Sequence, residues 1–391
     1  KKSDNKCNMT FKKSSLVYAC VCIVCLIFMA SGIGLAYLGP HLLRCVIDRQ
    51  LVFAPDSHLY RVWKRVPFSV PLDFYFFNWT NPEDVYDESV KPKFQQMGPY
   101  KFLQNQEKID DRWNDNGTVT YKRRKFWHFR DEQGNGNLQD NITTINPVAL
   151  SVAHVARTWS YIIRRGLSLT LSSIAATLHM TRTPSQMLFE GYPDTLIKMA
   201  NTMPFFVGRE LPPWDKFGWF YMRNGSADFE GVFNMGTGKN SSLGKIYQWK
   251  YWNNTPYYEG DCAKVDGFSG EFFAPNWSDT IRLFSADLCR TITLKYVGKS
   301  EVNSIIGNKY TAEDYMLDNG TIYSQNKCFC NGECVPSGVV NVSSCRFGSP
   351  TFGSLPHFYN ADPYYINQIE GLQPDRKKHE FFVIIEPVTF L

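Results

Sequence analysis

The sequence predicts an α+β protein: an N-terminal transmembrane helix, then a strand-rich body with one helical insertion. Three features predict it. Residues 16–38 carry no charge and are mostly apolar. Aromatic residues make up 15% of the chain and occur with 21 Pro and 27 Gly, a mixture that favours strands and turns over a helical bundle. Helical periodicity is confined to residues 147–201. With 43% hydrophobic and 20% charged residues, the chain is neither disordered nor a polytopic membrane protein. A length of 391 residues allows one large domain or two ordinary ones.

The first element is the apolar run from Leu16 to Leu38. As a helix its 23 residues span about 34 Å, enough to cross a hydrocarbon core of about 30 Å. Lys12 and Lys13 precede it, so the positive-inside rule makes 1–15 a cytosolic tail and 16–38 a signal-anchor helix. Residues 39–391 are then a luminal or extracellular body. The rival is a cleaved signal peptide, whose apolar core is shorter, about 7–15 residues. Ala30 with Gly34 and Gly32 with Ala36 permit close helix packing and hence a homo-oligomer, although such residues are common in membrane helices anyway. Cys7, beside the cytosolic face, is a candidate for lipidation, with a free reduced thiol as the plain alternative. The chain begins at Lys1 rather than Met, so the natural N-terminus is expected upstream. Of the net charge of +5, residues 1–13 carry +4. The near-neutral remainder argues against a nucleic-acid partner.

The body bears the marks of a secretory route. Asn-x-Ser/Thr sequons stand at Asn78, Asn116, Asn141, Asn224, Asn240, Asn253, Asn276, Asn319 and Asn341, each a candidate glycosylation site where exposed. A tenth, Asn8, falls in the cytosolic tail and is expected unmodified. Cys262, Cys289, Cys328, Cys330, Cys334 and Cys345 lie far from the membrane run. In an oxidising compartment six cysteines suggest three disulfides, with fifteen connectivities open. A zinc site on Cys328, Cys330 and Cys334 is the rival, but the spacing is not the paired Cys-x-x-Cys form, so no metal is expected.

Along the body, Leu72–Trp79 reads as an aromatic strand ended by Asn81-Pro82. Val119–Phe129 is strand-like, and its run Lys122, Arg123, Arg124, Lys125 reads as a solvated face or, alternatively, a binding patch. Val152, Val155, Ala156, Trp159, Ile162 and Ile163 mark one face of a helix that Asn146 caps and Pro147 opens. Gly166 interrupts it, and Leu167–His179 reads as a second helix. Thr183-Pro184-Ser185-Gln186 is a capping-box start for a third, broken at Gly191-Tyr192-Pro193. After Pro204 strands return. Trp219–Met235 reads as a hairpin about Arg223-Asn224-Gly225, Thr291–Val297 as an alternating strand, and Glu380–Ile385 as a buried one. The end at Leu391, a few residues past that strand, reads as a truncation.

Motifs for catalysis are missing. Met235–Lys239 fails the phosphate-loop spacing, His379-Glu380 lacks the second His of a zinc protease, and no Gly-x-Ser-x-Gly elbow occurs. No cofactor and no enzyme activity are expected. The helical insertion holds Arg157, Arg164, Arg165, Arg182 and Lys198 against Glu190 and Asp194, a net +3. Its arginines 157, 164, 165 and 182 are candidate ligand-binding residues for anionic lipid headgroups or oxidised lipoproteins, against the plain alternative of a solvated face.

Several ordered motifs share one source. They are Phe76-Phe77-Asn78-Trp79-Thr80-Asn81-Pro82-Glu83, Met97-Gly98-Pro99-Tyr100 and Phe189-Glu190-Gly191-Tyr192. Asp287-Leu288-Cys289-Arg290, Cys328-Phe329-Cys330, Leu355-Pro356-His357-Phe358, and His379-Glu380-Phe381-Phe382 leading to Glu386-Pro387 follow. Together they cover nearly the whole chain from Leu16 onward. With them the chain resembles the class B scavenger receptor family, whose branches include the fatty acid translocase, a lysosomal integral membrane protein and insect croquemort-like proteins. The resemblance implies an antiparallel β-barrel ectodomain with an apical helical bundle at about 147–201, a lipid-carrying tunnel, and a second membrane helix that this chain stops short of. It also implies disulfides joining Cys262 to Cys328, Cys289 to Cys345 and Cys330 to Cys334. The two long closures would each contribute roughly 4 kcal/mol in the chain-entropy model.

The implied function is a receptor for anionic or oxidised lipids, lipoproteins or apoptotic cells, mediating lipid uptake or phagocytosis. Its expected partners are lipids, lipoproteins and anionic membrane surfaces, and its expected place is the plasma membrane. The alternative is an intracellular, lysosomal sorting receptor that binds a protein through the helical tip. One departure bears on the ligand: residues 166–180 hold no Lys or Arg, whereas apical lysines contribute to ligand binding in the fatty acid translocase.

Overall fold

The computed structural model describes residues 4–50, 52–132, 134–174, 176–202, 214–238, 242–273 and 279–387. The chain divides into two compact units, Lys1–Tyr60 and Arg61–Leu391. In the first, α1 (Asp4–Gln50) is one continuous helix of 47 residues that runs through Pro40. It is longer than the 16–38 expected, because the polar flanks hold no strong helix breaker besides that proline. Within it Ile23–Leu43 is apolar and long enough to cross a membrane, with none of it buried. The side chains of Cys7 and Asn8 lie outside the described residues, whereas Cys25 and Cys45 are exposed and unbridged. α2 (His58–Lys64) follows in sequence.

The second unit is built on antiparallel strands. β1 (Val70–Trp79), β2 (Phe94–Asn114) and β3 (Thr118–Phe129) form a meander. Asn81, whose side chain accepts from the Trp79 indole at 3.1 Å and the Lys93 amide at 2.8 Å, ties off β1 before Pro82, as the Asn-Pro signal suggests. A stem of β4 (Ile142–Ile145) and β5 (His179–Arg182) brackets the first two helices of the insertion. β6 (Tyr192–Pro193) pairs with β7 (Lys216–Phe217). β8 (Val232–Gly236) then pairs with β3, and β9 (Ile246–Trp249) with β8, so the first sheet has the order β1-β2-β3-β8-β9. β10 (Thr280–Ser285), β11 (Arg290–Val302), β12 (Ile305–Thr311) and the later β15 (Phe382–Ile385) form the second sheet, order β10-β11-β12-β15. A small ladder of β13 (Val339–Asn341) and β14 (Phe352–Ser354) stands apart. Residue Phe268 bridges the two main sheets. Its amide donates to Arg282 at 2.7 Å, the neighbouring Gly267 carbonyl accepts from Ile246 at 2.8 Å, and the nine strands continue as a half-barrel.

Two readings of local sequence are corrected here. Residues 218–225 form consecutive turns, and β8 leaves them to pair with the distant β3, so no hairpin forms about Arg223-Asn224-Gly225. The basic run on β3 is not a solvated face. Arg123 and Lys125 reach Glu230 at 3.0 and 2.5 Å, and all three side chains are less than a fifth exposed. Lys122 pairs with Asp228 at 2.6 Å and Arg124 with Glu107 at 3.1 Å. Alternation along β3 sends these cations to both faces, where carboxylates from other segments meet them.

The helical insertion rises from the β4–β5 stem, where the Asn146 amide donates to the Leu178 carbonyl at 2.8 Å. α3 (Pro147–Ala156) starts as read: Asn146 Oδ1 accepts from the amides of Val148 and Ala149 at 3.2 and 3.1 Å, and Pro147 occupies the first turn. The chain then breaks at residues 157–160. α4 (Tyr161–Ser173) runs straight through Gly166, and His179 belongs to β5. The Thr183–Gln186 capping box forms, each backbone amide donating to the other's side chain at 3.3 Å. What it opens is a single wide turn, Gln186–Glu190, ended by Gly191 at φ +69°. A Cβ there would press on the Tyr221 ring, so glycine is needed. α5 (Thr195–Thr202) closes the insertion, with Leu196 packed among Val148, Ala149 and Phe217. The wide turn drives Phe189 into the main aromatic core, against Phe102, Trp127, Phe220 and Phe74 at ring distances of 5.0 to 6.3 Å.

Candidate functional site

A cavity of about 1980 Å³ lies within the second unit. Three layers wall it. β1 and the start of β2 supply aromatic side chains, among them Phe77, Trp79 and Phe94. The inner faces of α3, α4 and α5 supply aliphatic ones, such as Val152, Leu167 and Ile197. The segment from Val342 to Phe358 closes a third side. These groups are apolar because the helices are amphipathic and the strand alternates, so each turns one side chain in two or three toward the cavity. Such a chamber suits a chain of methylene groups.

Two clusters of titratable side chains interrupt the apolar wall. In the first, the His357 ring stacks on His379 at 4.3 Å, its Nε2 faces Gln96 and its Nδ1 accepts from the Gln373 amide at 3.0 Å. Burial, then His379 and Lys378, hold the His357 pKa below its ordinary value. In the second, Arg223 donates to Asp287 Oδ1 at 2.8 Å, and Arg346 donates to the Asp287 carbonyl at 2.5 Å. Behind them Glu230 is held below the usual carboxylate range: burial pushes it up, and Arg123 and Lys125 overcome that push. The same balance holds for Asp287, raised by burial and lowered further by Arg223 and Lys125.

The four candidate arginines take separate places, and none lines the cavity. Arg157 caps α3, bonds to His154 at 3.0 Å and faces Glu333 at 3.6 Å. Arg164 and Arg165 are exposed on α4, with Arg165 donating to the Tyr161 hydroxyl at 3.0 Å. Arg182 pairs with Ile142, at the end of the stem away from the helices, and lies 5.0 Å over the Tyr192 ring. Of the sequons, Asn116, Asn141, Asn224 and Asn253 are exposed. Asn78, Asn319 and Asn341 are half-buried, and their side-chain oxygens accept from the amides of Thr143, Thr321 and Ser343. Asn240 and Asn276 lie outside the described residues. Disulfides join Cys262 to Cys328, Cys289 to Cys345 and Cys330 to Cys334, with Cα separations of 5.9, 6.3 and 4.6 Å. Among the described residues no group of His, Cys, Asp and Glu is placed to hold a metal.

Residues far apart in sequence meet at the cavity. Phe76, Phe77 and Trp79 from one motif, Asp287 and Leu288 from another, Leu355 to Phe358 from a third and His379 from a fourth all line it. Sequence reading had these motifs but no signal that they share a wall. It read Arg223 only as part of a turn and gave Arg346 no role.

The sequence profile of the CD36 family matches residues 21–390. The chain belongs to the CD36 family. It is 37% identical over 366 residues to protein peste of Drosophila melanogaster, a match covering 92% of this chain and 65% of peste. Scavenger receptor class B member 1 of Mus musculus is 31% identical over 369 residues, covering 93% of this chain and 71% of that receptor. Lysosome membrane protein 2 of Rattus norvegicus is 31% identical over 350 residues, covering 88% and 70%. The chain thus spans 65 to 71% of the length of these relatives. CD36-family receptors are non-enzymatic. The antiparallel half-barrel and the N-terminal apolar helix accord with membership.

Proposed function

We propose that this chain is a lipid-binding class B scavenger receptor of the plasma membrane. Residues 16–38 anchor it, 1–15 are cytosolic, and 39–391 form an extracellular body in which the half-barrel closes into a barrel under the helical bundle. The observation that carries the reading is the cavity of about 1980 Å³ with its aromatic and aliphatic wall. It is about twice the upper end of the roughly 300–1,000 Å³ typical of small-molecule sites, and room on that scale suits acyl chains or sterols. The ligands are anionic or oxidised lipids, free or on lipoproteins and dying cells, and the outcome is uptake. The helical tip receives them. On α4, Tyr161, Ile162 and Leu169 are 64, 81 and 73% exposed beside Arg164 and Arg165, an apolar face fringed with cations that fits an anionic lipid surface.

Solvent extraction of the protein purified from a secretory host, followed by mass spectrometry, tests the reading. Stoichiometric acyl lipid or sterol is expected, and a protein that copurifies with none refutes cargo carriage. Reversing Arg164 and Arg165 to Glu weakens binding to anionic liposomes if the tip is the receiving surface, and unchanged binding removes that surface. A lysosomal sorting role is the second reading, since one relative is named as a lysosome membrane protein. Surface biotinylation separates the two.

A further inference from the structure

The cavity wall carries an uneven set of charges. Arg223, Asp287 and Arg346 line the large cavity and also a second pocket of about 30 Å³ beside it, which Glu230 and Lys250 complete. At about 10–15 Å³ for each water-sized group, the small pocket has room for two oxygen atoms and no chain. Glu230 is already engaged by Arg123 and Lys125 at 3.0 and 2.5 Å. Five cations, namely Arg123, Lys125, Arg223, Lys250 and Arg346, therefore share two carboxylates.

The surplus is visible in the individual groups. Arg223 is 9% exposed, and its buried Nε finds no acceptor. Asp287 Oδ1 is asked to serve both Arg223 at 2.8 Å and Arg346 at 3.7 Å. Lys250 rests its ammonium 4.7 Å over the Trp249 ring, and among the described residues no carboxylate lies within ion-pair distance of it. A buried guanidinium such as that of Arg223, left short of acceptors, is costly, and an oxyanion is what removes the cost. The Cys289–Cys345 disulfide joins the two segments that present Asp287 and Arg346, so the groups are held in place before any ligand arrives. Next to them in the large cavity are Phe220, Phe229, Leu288 and Phe347.

We infer that Arg223, Arg346 and Lys250 form a headgroup site for a single-chain anionic amphiphile, whose carboxylate, or two oxygens of whose phosphate, enter the small pocket while its acyl chain lies in the large cavity. Asp287 positions the two arginines and does not itself touch the chain. The inference rests on the lipid-carrying reading and specifies what that reading leaves open: the cavity discriminates by head charge as well as by apolarity.

The test uses the full chain, stripped of lipid, in a non-ionic detergent. Trp159, Trp214 and Trp219 line the cavity, so brominated acyl chains that enter it quench their fluorescence. Dibromostearic acid is expected to bind at least about tenfold more tightly than its methyl ester, the effect of one charge-assisted contact set. Arg346→Gln with Lys250→Met should abolish that preference and leave the affinity for the ester unchanged. Arg223 is left intact in this variant because it is the nearest partner of Asp287, at 2.8 Å, and the melting midpoint of the double variant verifies that it is folded. A parallel pair, brominated lysophosphatidate against the matching monoacylglycerol, decides between the two heads: the larger preference names the one that fits. Equal binding of acid and ester by the natural protein, or a preference that survives both substitutions, overturns the site while the lipid-carrying reading stands. Failure of acid, ester, lysophosphatidate and monoacylglycerol alike to quench overturns both.

Discussion

Glu230→Gln is the substitution whose cost the structure sets most clearly. The Glu230 side chain is 7% exposed and meets Arg123 at 3.0 Å, Lys125 at 2.5 Å and Arg223 at 3.8 Å. Glutamine keeps the shape but turns an amide toward three cations that are themselves less than a fifth exposed. Breaking a buried ion pair from one side costs about 3–5 kcal/mol, because the remaining charge stays buried without a partner. The Arg61–Leu391 unit has about 330 residues, so its unfolding entropy is about 0.7 kcal/mol per degree, and the midpoint should fall by about 4–7 °C. The control is Glu370→Gln, which removes an ion pair to Lys93 in which both side chains are 52% exposed. A surface pair is worth about 0–1 kcal/mol, a shift of at most about 1.5 °C. Scanning fluorimetry of the two variants in the same detergent compares them. If Glu230→Gln shifts the midpoint no further than Glu370→Gln, the buried network does not stabilise the unit and the charge argument fails.

Three further outcomes are expected. The folded pKa of His357 is depressed, so neutral His357 contributes stability that is present above its ordinary value near 6.5 and is lost as pH falls through the folded value. Thermal midpoints should therefore drop between pH 7.5 and 5, and His357→Asn, which tolerates the φ of +54° at this position, should flatten that drop. Removing the Cys289–Cys345 bridge by serine at both positions opens a closure of 56 residues and should cost about 4 kcal/mol, read by chemical denaturation. Gly371 has φ +98°, and a Cβ there would overlap the Phe94 carbonyl oxygen, so Gly371→Ala should abolish folding, read as loss of delivery to the cell surface. Gly270→Ala, at φ +86° with open space around it, should cost only about 1 kcal/mol.

Local signals were legible in the sequence where they act within a few residues. The charge-free run became part of α1, the Asn146-Pro147 pair capped α3, and the Thr183–Gln186 box formed as written. Signals that depend on distant partners were not. Arg223-Asn224-Gly225 has the look of a hairpin turn, but the following strand finds its partner in β3, over a hundred residues back, and no local pattern encodes that choice. Gly166 reads as a breaker, yet a single glycine costs a helix only about 1 kcal/mol, and α4 continues through it. The basic run on β3 looks solvated until Glu230, Glu107 and Asp228 arrive from other segments. The site is the extreme case. The arginines chosen from composition lie outside the cavity, whereas Arg223 and Arg346 stand out only once folding has set Asp287 between them.

The two long helices of the insertion are unequal in how firmly they hold the cavity wall. α3 buries Val148, Ala149 and Ala156 and has its first amides capped by Asn146. α4 lines the same cavity through Ile163, Leu167 and Thr170, yet it has no buried residue and its Ser160 side chain makes no cap. It also carries Arg164 and Arg165 near the positive end of its own dipole and Gly166 in its interior. A missing cap at about 1 kcal/mol, the glycine at about 1 and the two misplaced cations at about 0.5 each give α4 a deficit of about 3 kcal/mol against α3. Local opening follows local stability, so α4 amides should exchange about a hundredfold faster than those of α3. Gly166→Ala, which adds a methyl group into open space, should slow α4 by about fivefold and leave α3 unchanged. Lipid loading should slow α4 as well, because the chain fills the space behind it. Equal protection of the two helices, or an α4 indifferent to the added methyl, would mean that the cavity is entered elsewhere, and the strand wall at Phe77 and Trp79 would be the next segment to probe.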